Sequence, residues 1–418
     1  MEPSHALITN DAVVLGILMV ILTFVFRTSH SDSPFWKKFY TYVPSLLLCY
    51  FIPSIFGTVG LIDGEASNLY FVASRYLLPT SLVLLTLSID IPAIIRLGPK
   101  ALIMFVTGTV GIVLGGPLAI LIWSTFDPAT VGVGTPEDVW RGLTTVAGSW
   151  IGGGANQAAM KEVFSVPDDL FGKLVAVDVI VANIWMAFLL YGAGRSNAID
   201  ARIGADNSAI EDLKHRVADY QASIAKIPSL TDLMTVLGVG FGATAFGHLV
   251  ADTLAPWLQE VAPGLERFSL TSKFFWLIVT ATTLGLIMST HKSSRMLEGV
   301  GASRVGSAML YVLVASIGMR MNLGSVVEDP KLFGVGLVWI SFHAILLIVV
   351  ARIIKAPLFF LAVGSQANVG GAASAPIVAS AFHPALAPVG VLLAVFGYAL
   401  GTYAAWFCGI LMQAAAGG

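Results

Sequence analysis

"GSWIGGGANQAA" (Gly148–Ala159) and "GSQANVGGAASAP" (Gly364–Pro376) lie half a chain apart and read as versions of one another. Each opens on Gly-Ser, runs into a block of glycine and alanine, and sets Asn and Gln amides beside it. The chain around them decides how to read them. It has 418 residues, 56% apolar and 11% charged, whereas a soluble domain carries roughly 25% charged residues. Mean hydropathy is +0.83. Apolar residues come in unbroken runs such as "AVVLGILMVILTFVF" (Ala12–Phe26) and "GLVWISFHAILLIVVA" (Gly336–Ala351). A helix crossing the hydrocarbon layer needs about 20 such residues. The fold class is therefore an all-α polytopic membrane protein.

Apolar segments fall near 11–27, 40–62, 69–89, 101–123, 144–163 and 170–191 in the first half. In the second half they fall near 231–254, 272–290, 302–321, 332–352, 358–382 and 385–412. This pattern predicts about 10–12 transmembrane helices in two inverted repeats, each with an interrupted crossover helix. Residues 1–192 hold an N-terminal helix and the first repeat, and residues 230–418 hold the second. Between them, 193–229 is a polar linker whose stretch "AIEDLKHRVADYQASIAKI" has the periodicity of an amphipathic helix. The repeats match elsewhere too: Ala73–Asp90 parallels Ala302–Gly318, with Arg75 and Arg304 in corresponding places.

Charge sets the orientation, because inner connections carry excess Lys and Arg. Arg27, Lys37, Lys38, Arg96 and Lys100 share one set of connections with Lys292, Arg295, Arg304, Arg352 and Lys355. Asp63, Glu65, Asp127, Glu137 and Asp138 fall in the alternate set. The unit 40–191 then starts inside and the unit 272–412 starts outside. With both units so oriented, the stretch from 193 to 271 must begin and end outside. Segment 231–254 then cannot be one simple crossing: either it is re-entrant or interfacial, or one helix elsewhere is misassigned, and this conflict of parity stays open at the level of sequence.

In hydrocarbon, irregular backbone is tolerated only where it lines a protein-enclosed cavity. Gly152, Gly153 and Gly154 are one expected break, and Gly370 and Gly371 are the other. A broken helix presents N–H groups suited to an anionic solute on one half and C=O groups suited to a cation on the other. Ser149, Asn156, Gln157, Ser365, Gln366 and Asn368 supply neutral polar groups beside the breaks. Small residues also mark tight helix packing, but two matched, amide-bearing segments favour a binding site. Asp178 lies deep in "LVAVDVIVANIWMAFLL" and is costly there unless it is paired, faces a cavity or is protonated. It is the candidate coupling site for Na⁺ or H⁺, with Asn183 beside it; the alternative is a structural hydrogen bond. Asp90 reads as a helix cap, and Arg320 as a partner for an anionic solute or for Asp90. His248 and His343 read as packing residues, and Cys49 and Cys408 as buried free thiols.

The segment Gly148–Asn156 resembles one carried by an uncharacterised membrane family called YjcL-like (DUF819), and the likeness covers nearly the whole chain. At fold level, inverted five-helix units with an interrupted fourth helix resemble the superfamily of sodium–glutamate symporters, sodium–bile-acid symporters and cation–proton antiporters. The resemblance implies two broken helices crossing near the midplane, with solute and coupling ions bound around the crossing.

The sequence holds no HExxH, Walker GxxxxGK[ST], GxSxG or CxxC pattern, so enzyme chemistry and a nucleotide-driven pump find no support. The expectation is a secondary transporter of a small polar, anionic organic solute, with Na⁺ or H⁺ as coupling ion and no other cofactor or metal. An intramembrane enzyme or lipid-handling protein using the same cavity is the rival class, and a passive channel the third. Expected partners are the solute, the lipid bilayer and a second copy in a homodimer, with no nucleic acid. "MEPSHALITND" has no basic stretch before the first apolar run, which predicts a retained first helix. The expected location is a bacterial inner (plasma) membrane.

Overall fold

The computed structural model describes residues 7–132, 139–205, 210, 228–322, 324, 328–383 and 386–417. The linker helix expected over 209–227, and Glu137 and Asp138, lie outside the described residues. The principal helices are α1 (Asp11–Ser29), α2 (Ser45–Thr58), α3 (Leu69–Leu87), α4 (Pro99–Ser124), α5 (Val139–Val163) and α6 (Asp168–Ala193). They continue as α7 (Leu230–Val261), α8 (Lys273–Ser289), α9 (Ala302–Gly318), α10 (Lys331–Ile353), α11 (Leu358–Val369), α12 (Gly371–Phe382) and α13 (Ala387–Ala415). Among the described residues the only β pairing is an isolated bridge between Ile8 and Ile62. The chain is an integral membrane protein.

Local chemistry explains several of these boundaries. The Asn10 side chain accepts from the Ala12 and Val13 N–H groups at the start of α1. Ser229 and Asp232 form a reciprocal capping box at the start of α7. Ser272 accepts from Phe275 at the start of α8. Ahead of α2, the short helix Pro34–Tyr42 carries Phe35, Trp36, Phe39 and Tyr40 in mutual ring contact. It meets α2 at 89°, the posture of an interfacial helix with an aromatic belt. Within α3, Ala73–Leu77 forms a π-helical turn. Such a turn holds one extra residue and frees a backbone carbonyl; the ring Nε2 of His248 lies 2.9 Å from the Arg75 carbonyl.

Side-chain pairs fix the relative directions of the helices. α4 and α10 run antiparallel: Lys100 Nζ donates to the Lys355 carbonyl at one end (3.0 Å), and Trp123 covers Gly334 at the other. α3 and α9 are also antiparallel, since Ser88 at the end of α3 donates to Glu298, just before α9 (2.5 Å). α8 lies parallel to α3, with Phe274 under Arg75 at one end and Gly285 against Thr86 at the other. α7 is antiparallel to α3 through Thr80–Thr244 (2.8 Å) and His248–Arg75. It crosses as one helix of 32 residues.

The glycine-rich segments depart from the expected crossover helices. In α5, Gly152 (φ −136°, ψ 16°) and Gly153 (φ 68°, ψ −174°) break the helix. The second arm folds back so far that a Cβ on Gly148 would lie 2.6 Å from the Asn156 carbonyl oxygen. Both ends of α5 meet on one face: Arg141 Nη1 donates to the Phe164 carbonyl (3.2 Å) and Trp140 packs on Phe164. α11 and α12 form a second hairpin around Gly370 and Gly371, with Phe359 and Phe382 in ring contact at its open end (5.4 Å). Each segment therefore enters and leaves through the same face: α5 with Val139 and Arg141 on one cavity with Lys173 and Asp329, α11/α12 with Leu358 on Asp200.

This resolves the parity conflict. Among the described residues, seven helices are long and apolar enough to span alone, α2 and α8 qualify together with their bent extensions, and α9 is a shorter apolar helix. The remaining short apolar helices, α11 and α12, are hairpin arms. With α5 and α11/α12 turning back, α6 ends and α7 begins on the same face, and α7 is an ordinary crossing. The face bearing Lys37, Lys100, Lys292 and Lys355 is the inner one by the excess of Lys and Arg.

Candidate functional site

The two hairpins enter from opposite faces and their tips touch in the middle of the protein. A Cβ on Gly371 (φ 57°) would lie 3.7 Å from Gly153 Cα. Gly153 occupies a backbone region open essentially to glycine alone. α13 passes directly beside the tips, and two more glycines permit the approach. A Cβ on Gly401 would lie 2.5 Å from Gly152 Cα, and one on Gly397 2.7 Å from the Ile151 carbonyl oxygen. The Ala367 carbonyl faces the same point at 3.5 Å. Carbonyls from the first arm of each hairpin thus converge on Gly397. The second arms begin beside it at Gly154 and Gly371.

Asn156 and Asn368 perform the same task on different hairpins. Asn156 Nδ2 donates to the Gly152 carbonyl (3.0 Å) and to the Tyr398 carbonyl of α13 (2.9 Å), while its Oδ1 accepts from Thr402 (2.6 Å). Asn368 Nδ2 donates to the Gly364 carbonyl (2.9 Å) and to the Phe105 carbonyl of α4 (3.0 Å), while its Oδ1 accepts from Thr109 (2.8 Å). In each case the amide bonds its own helix four residues back, a neighbouring carbonyl, and a threonine one turn further along that neighbour. Both are fully buried. Their polar valences are spent on the protein, which makes them clamps holding the hairpins to α13 and α4.

Asp178 joins both arms of the first hairpin to α6. Its Oδ1 accepts from Trp150 Nε1 (2.7 Å) and its Oδ2 from Gln157 Nε2 (2.8 Å), with Ser149 also bonded to it. Tyr50 of α2 donates to Gln157 Oε1 at 3.5 Å. Asp178 is 3% exposed and no cation stands against it among the described residues. Asn183 does not join this group. It lies five residues along α6, well around the helix, and donates to the Val179 carbonyl (2.7 Å).

At the second hairpin, Ser365 accepts from Trp185 Nε1 (2.8 Å) and meets His343 Nε2 (2.8 Å). His343 Nδ1 faces the Gly108 carbonyl (3.0 Å), which can only accept. In the neutral ring the proton therefore sits on Nδ1, and Ser365 donates to Nε2. Gln366 Nε2 donates to Ser374 (2.7 Å), but its Oε1 is buried with no partner. A buried unpaired acceptor is uncommon and costly. It is a buried amide oxygen left for a ligand to use.

Sequence reasoning missed Thr402, Thr109 and Tyr50. The two threonines carry no local signal, because they matter only through the asparagines they meet across α13 and α4. His343, read from the sequence as a packing residue, is buried and hydrogen-bonded on both ring nitrogens. Asp90 caps the short helix Ile91–Ile95 by accepting from Ala93 (3.0 Å), as expected. Arg320 pairs with Asp168 on the outer face (2.8 Å), not with Asp90, which lies at the inner end of α3. Cys49 and Cys408 are buried and free.

The family model "Protein of unknown function (DUF819)" matches residues 16–415. Over 374 residues the chain is 25% identical to "Uncharacterized membrane protein YjcL" of Bacillus subtilis (strain 168), spanning 85% of this chain and 86% of that protein.

Proposed function

We propose that this chain, which belongs to the DUF819 family, is an ion-coupled secondary transporter of a small polar, anionic organic solute. The observation that carries the reading is the meeting of two oppositely inserted hairpins at Gly153 and Gly371, beside a buried carboxylate. Such a junction separates two faces by the thickness of two glycine tips. Displacing one hairpin opens it to one side while the other keeps it closed, which is what alternating access requires.

The antiparallel pairs α3/α9 and α4/α10 support reading residues 45–193 and 273–415 as two inverted repeats. Within that frame each hairpin serves one face. The N–H groups at the starts of the second arms suit an anionic group of the solute, and Gln366 Oε1 accepts from a solute hydroxyl or amine. Asp178 is the coupling site. A proton would neutralise it; Na⁺ would instead draw on the carboxylate and the carbonyls converging near Gly397. Protonation has a direct structural consequence. A neutral carboxyl must donate, either to the Ser149 hydroxyl or, if the Gln157 amide turns, to Gln157 Oε1, with Nε2 then presented to the Tyr50 oxygen. In this reading the largely exposed α7 provides the contact for a homodimer.

Uptake of labelled organic anions into proteoliposomes, with an imposed Na⁺ or pH gradient, tests the proposal. One gradient is expected to accelerate uptake. Uptake indifferent to both would remove the coupling, and absence of uptake across the panel would remove the transport reading.

A further inference from the structure

A second site lies on the outer face, apart from the hairpin tips. A cavity of about 610 Å³ opens between α3, α7, α8 and the outer end of the first hairpin. Three cations from three different elements converge on it: Arg75 of α3, Lys161 of the first hairpin, and Arg320 just beyond α9. They share two carboxylates. Arg75 Nη1 pairs with Glu162 (2.6 Å), whereas Lys161 (2.7 Å) and Arg320 (2.8 Å) both pair with Asp168. Lys273 and Asp252, also on the wall, pair with each other in an exposed position and cancel. Asp63 and Glu65 line a separate depression that Arg320 also borders. The cavity is left with one positive charge in surplus.

That surplus is held where it is expensive. The Lys161 side chain is only 5% exposed, and the Arg320 side chain 24%. A buried ammonium needs counter-charge and hydrogen bonds to offset its lost hydration. Aromatic rings supply part of this: Lys161 and Arg320 both lie over Tyr70, and Arg75 lies over Phe274. Tyr70 also takes a hydrogen bond from Lys161 (2.9 Å). Guanidinium forks beside an ammonium are the usual protein surface for a carboxylate or phosphate. On Arg75 the bonds run from Nη1, so its Nε and Nη2 remain for a ligand among the described residues.

We propose that this cavity binds a small oxyanion, which supplies the missing negative charge between Arg75, Lys161 and Arg320. Asp168 and Glu162 act there as internal competitors for the same cations. The inference goes beyond transport, because it concerns equilibrium binding to the purified protein and holds whether or not solute is moved.

Calorimetric titration of the detergent-solubilised chain with malonate and with inorganic phosphate, at fixed ionic strength, tests it. Saturable binding of at least one is expected, and the stronger of the two identifies the anion class. Arg320→Gln is expected to weaken binding about tenfold or more. Asp168→Asn and Glu162→Gln, each removing a competitor, are expected to tighten it roughly threefold or more. A purely structural ion cluster gives the opposite sign, with weaker or unchanged binding on neutralising a carboxylate. No saturable binding by the unsubstituted protein overturns the proposal. So does binding that none of the three substitutions alters, since the anion would then sit elsewhere.

Discussion

Gly153 shows how much one residue can decide in this protein. Its backbone lies where a side chain is scarcely tolerated, and its Cα touches the opposite hairpin. Gly153→Ala is expected to cost about 1–3 kcal/mol from backbone strain alone and to part the tips, read as a lower melting temperature. An unchanged melting point would mean that the tip relaxes freely. Asn156→Ala removes the hydrogen bonds to Thr402 and the Tyr398 carbonyl, each worth about 0.5–1.5 kcal/mol. Asn368→Ala should behave alike at Thr109 and the Phe105 carbonyl. If either variant melts with the parent, the clamp assignment fails. Asp178→Asn keeps the shape and removes the titratable group, so it should flatten the ion dependence of uptake and leave solute preference alone. A preserved ion response would make Asp178 a structural acceptor for Trp150 and Gln157. The glycines, asparagines and Asp178 were all legible in the sequence as unusual residues at membrane depth. Their division of labour was not, because the roles of Asn156 and Gln366 are set by which atoms of other helices lie within 3 Å.

A glycine-rich helix can bend or reverse, and local sequence does not say which. α5 holds 25 residues, about 37 Å if straight, which exceeds the roughly 30 Å needed to cross. Its length therefore suits a span as well as a hairpin. Each arm of the second hairpin has 12 residues, about 18 Å, and falls short of crossing by itself. What settles the reversal is tertiary: Gly148 against the Asn156 carbonyl, and Gly397 and Gly401 admitting the tip. The base of the second hairpin is held similarly from afar. Asp200, in the short helix Ser196–Ile203, accepts from the Leu358 N–H at the start of α11 (2.8 Å) while 4% exposed. Asp200→Ala leaves that N–H without its carboxylate partner. The expected loss is about 1–3 kcal/mol, with faster hydrogen exchange confined to the first turn of α11. Exchange unchanged there would show that another group takes over the cap.

For the molecule as a whole, the polytopic class and the position of its two focal segments follow from hydropathy and repetition. The outer cation cluster does not, because Arg75, Lys161, Asp168 and Arg320 are scattered along the chain and meet only through packing. Nor does the true number of crossings, since two reversals change parity without altering hydropathy. The course of the first hairpin has a consequence for cell biology. Had α5 crossed, the short helix Ser196–Ile203 would face outward; because α5 turns back, that helix is expected on the inner face beside Lys355, within reach of soluble partners and modifying enzymes. A green fluorescent protein inserted after Ile203 should glow, and alkaline phosphatase at the same position should be inactive. The reverse pair of reporter signals would mean that α5 crosses after all.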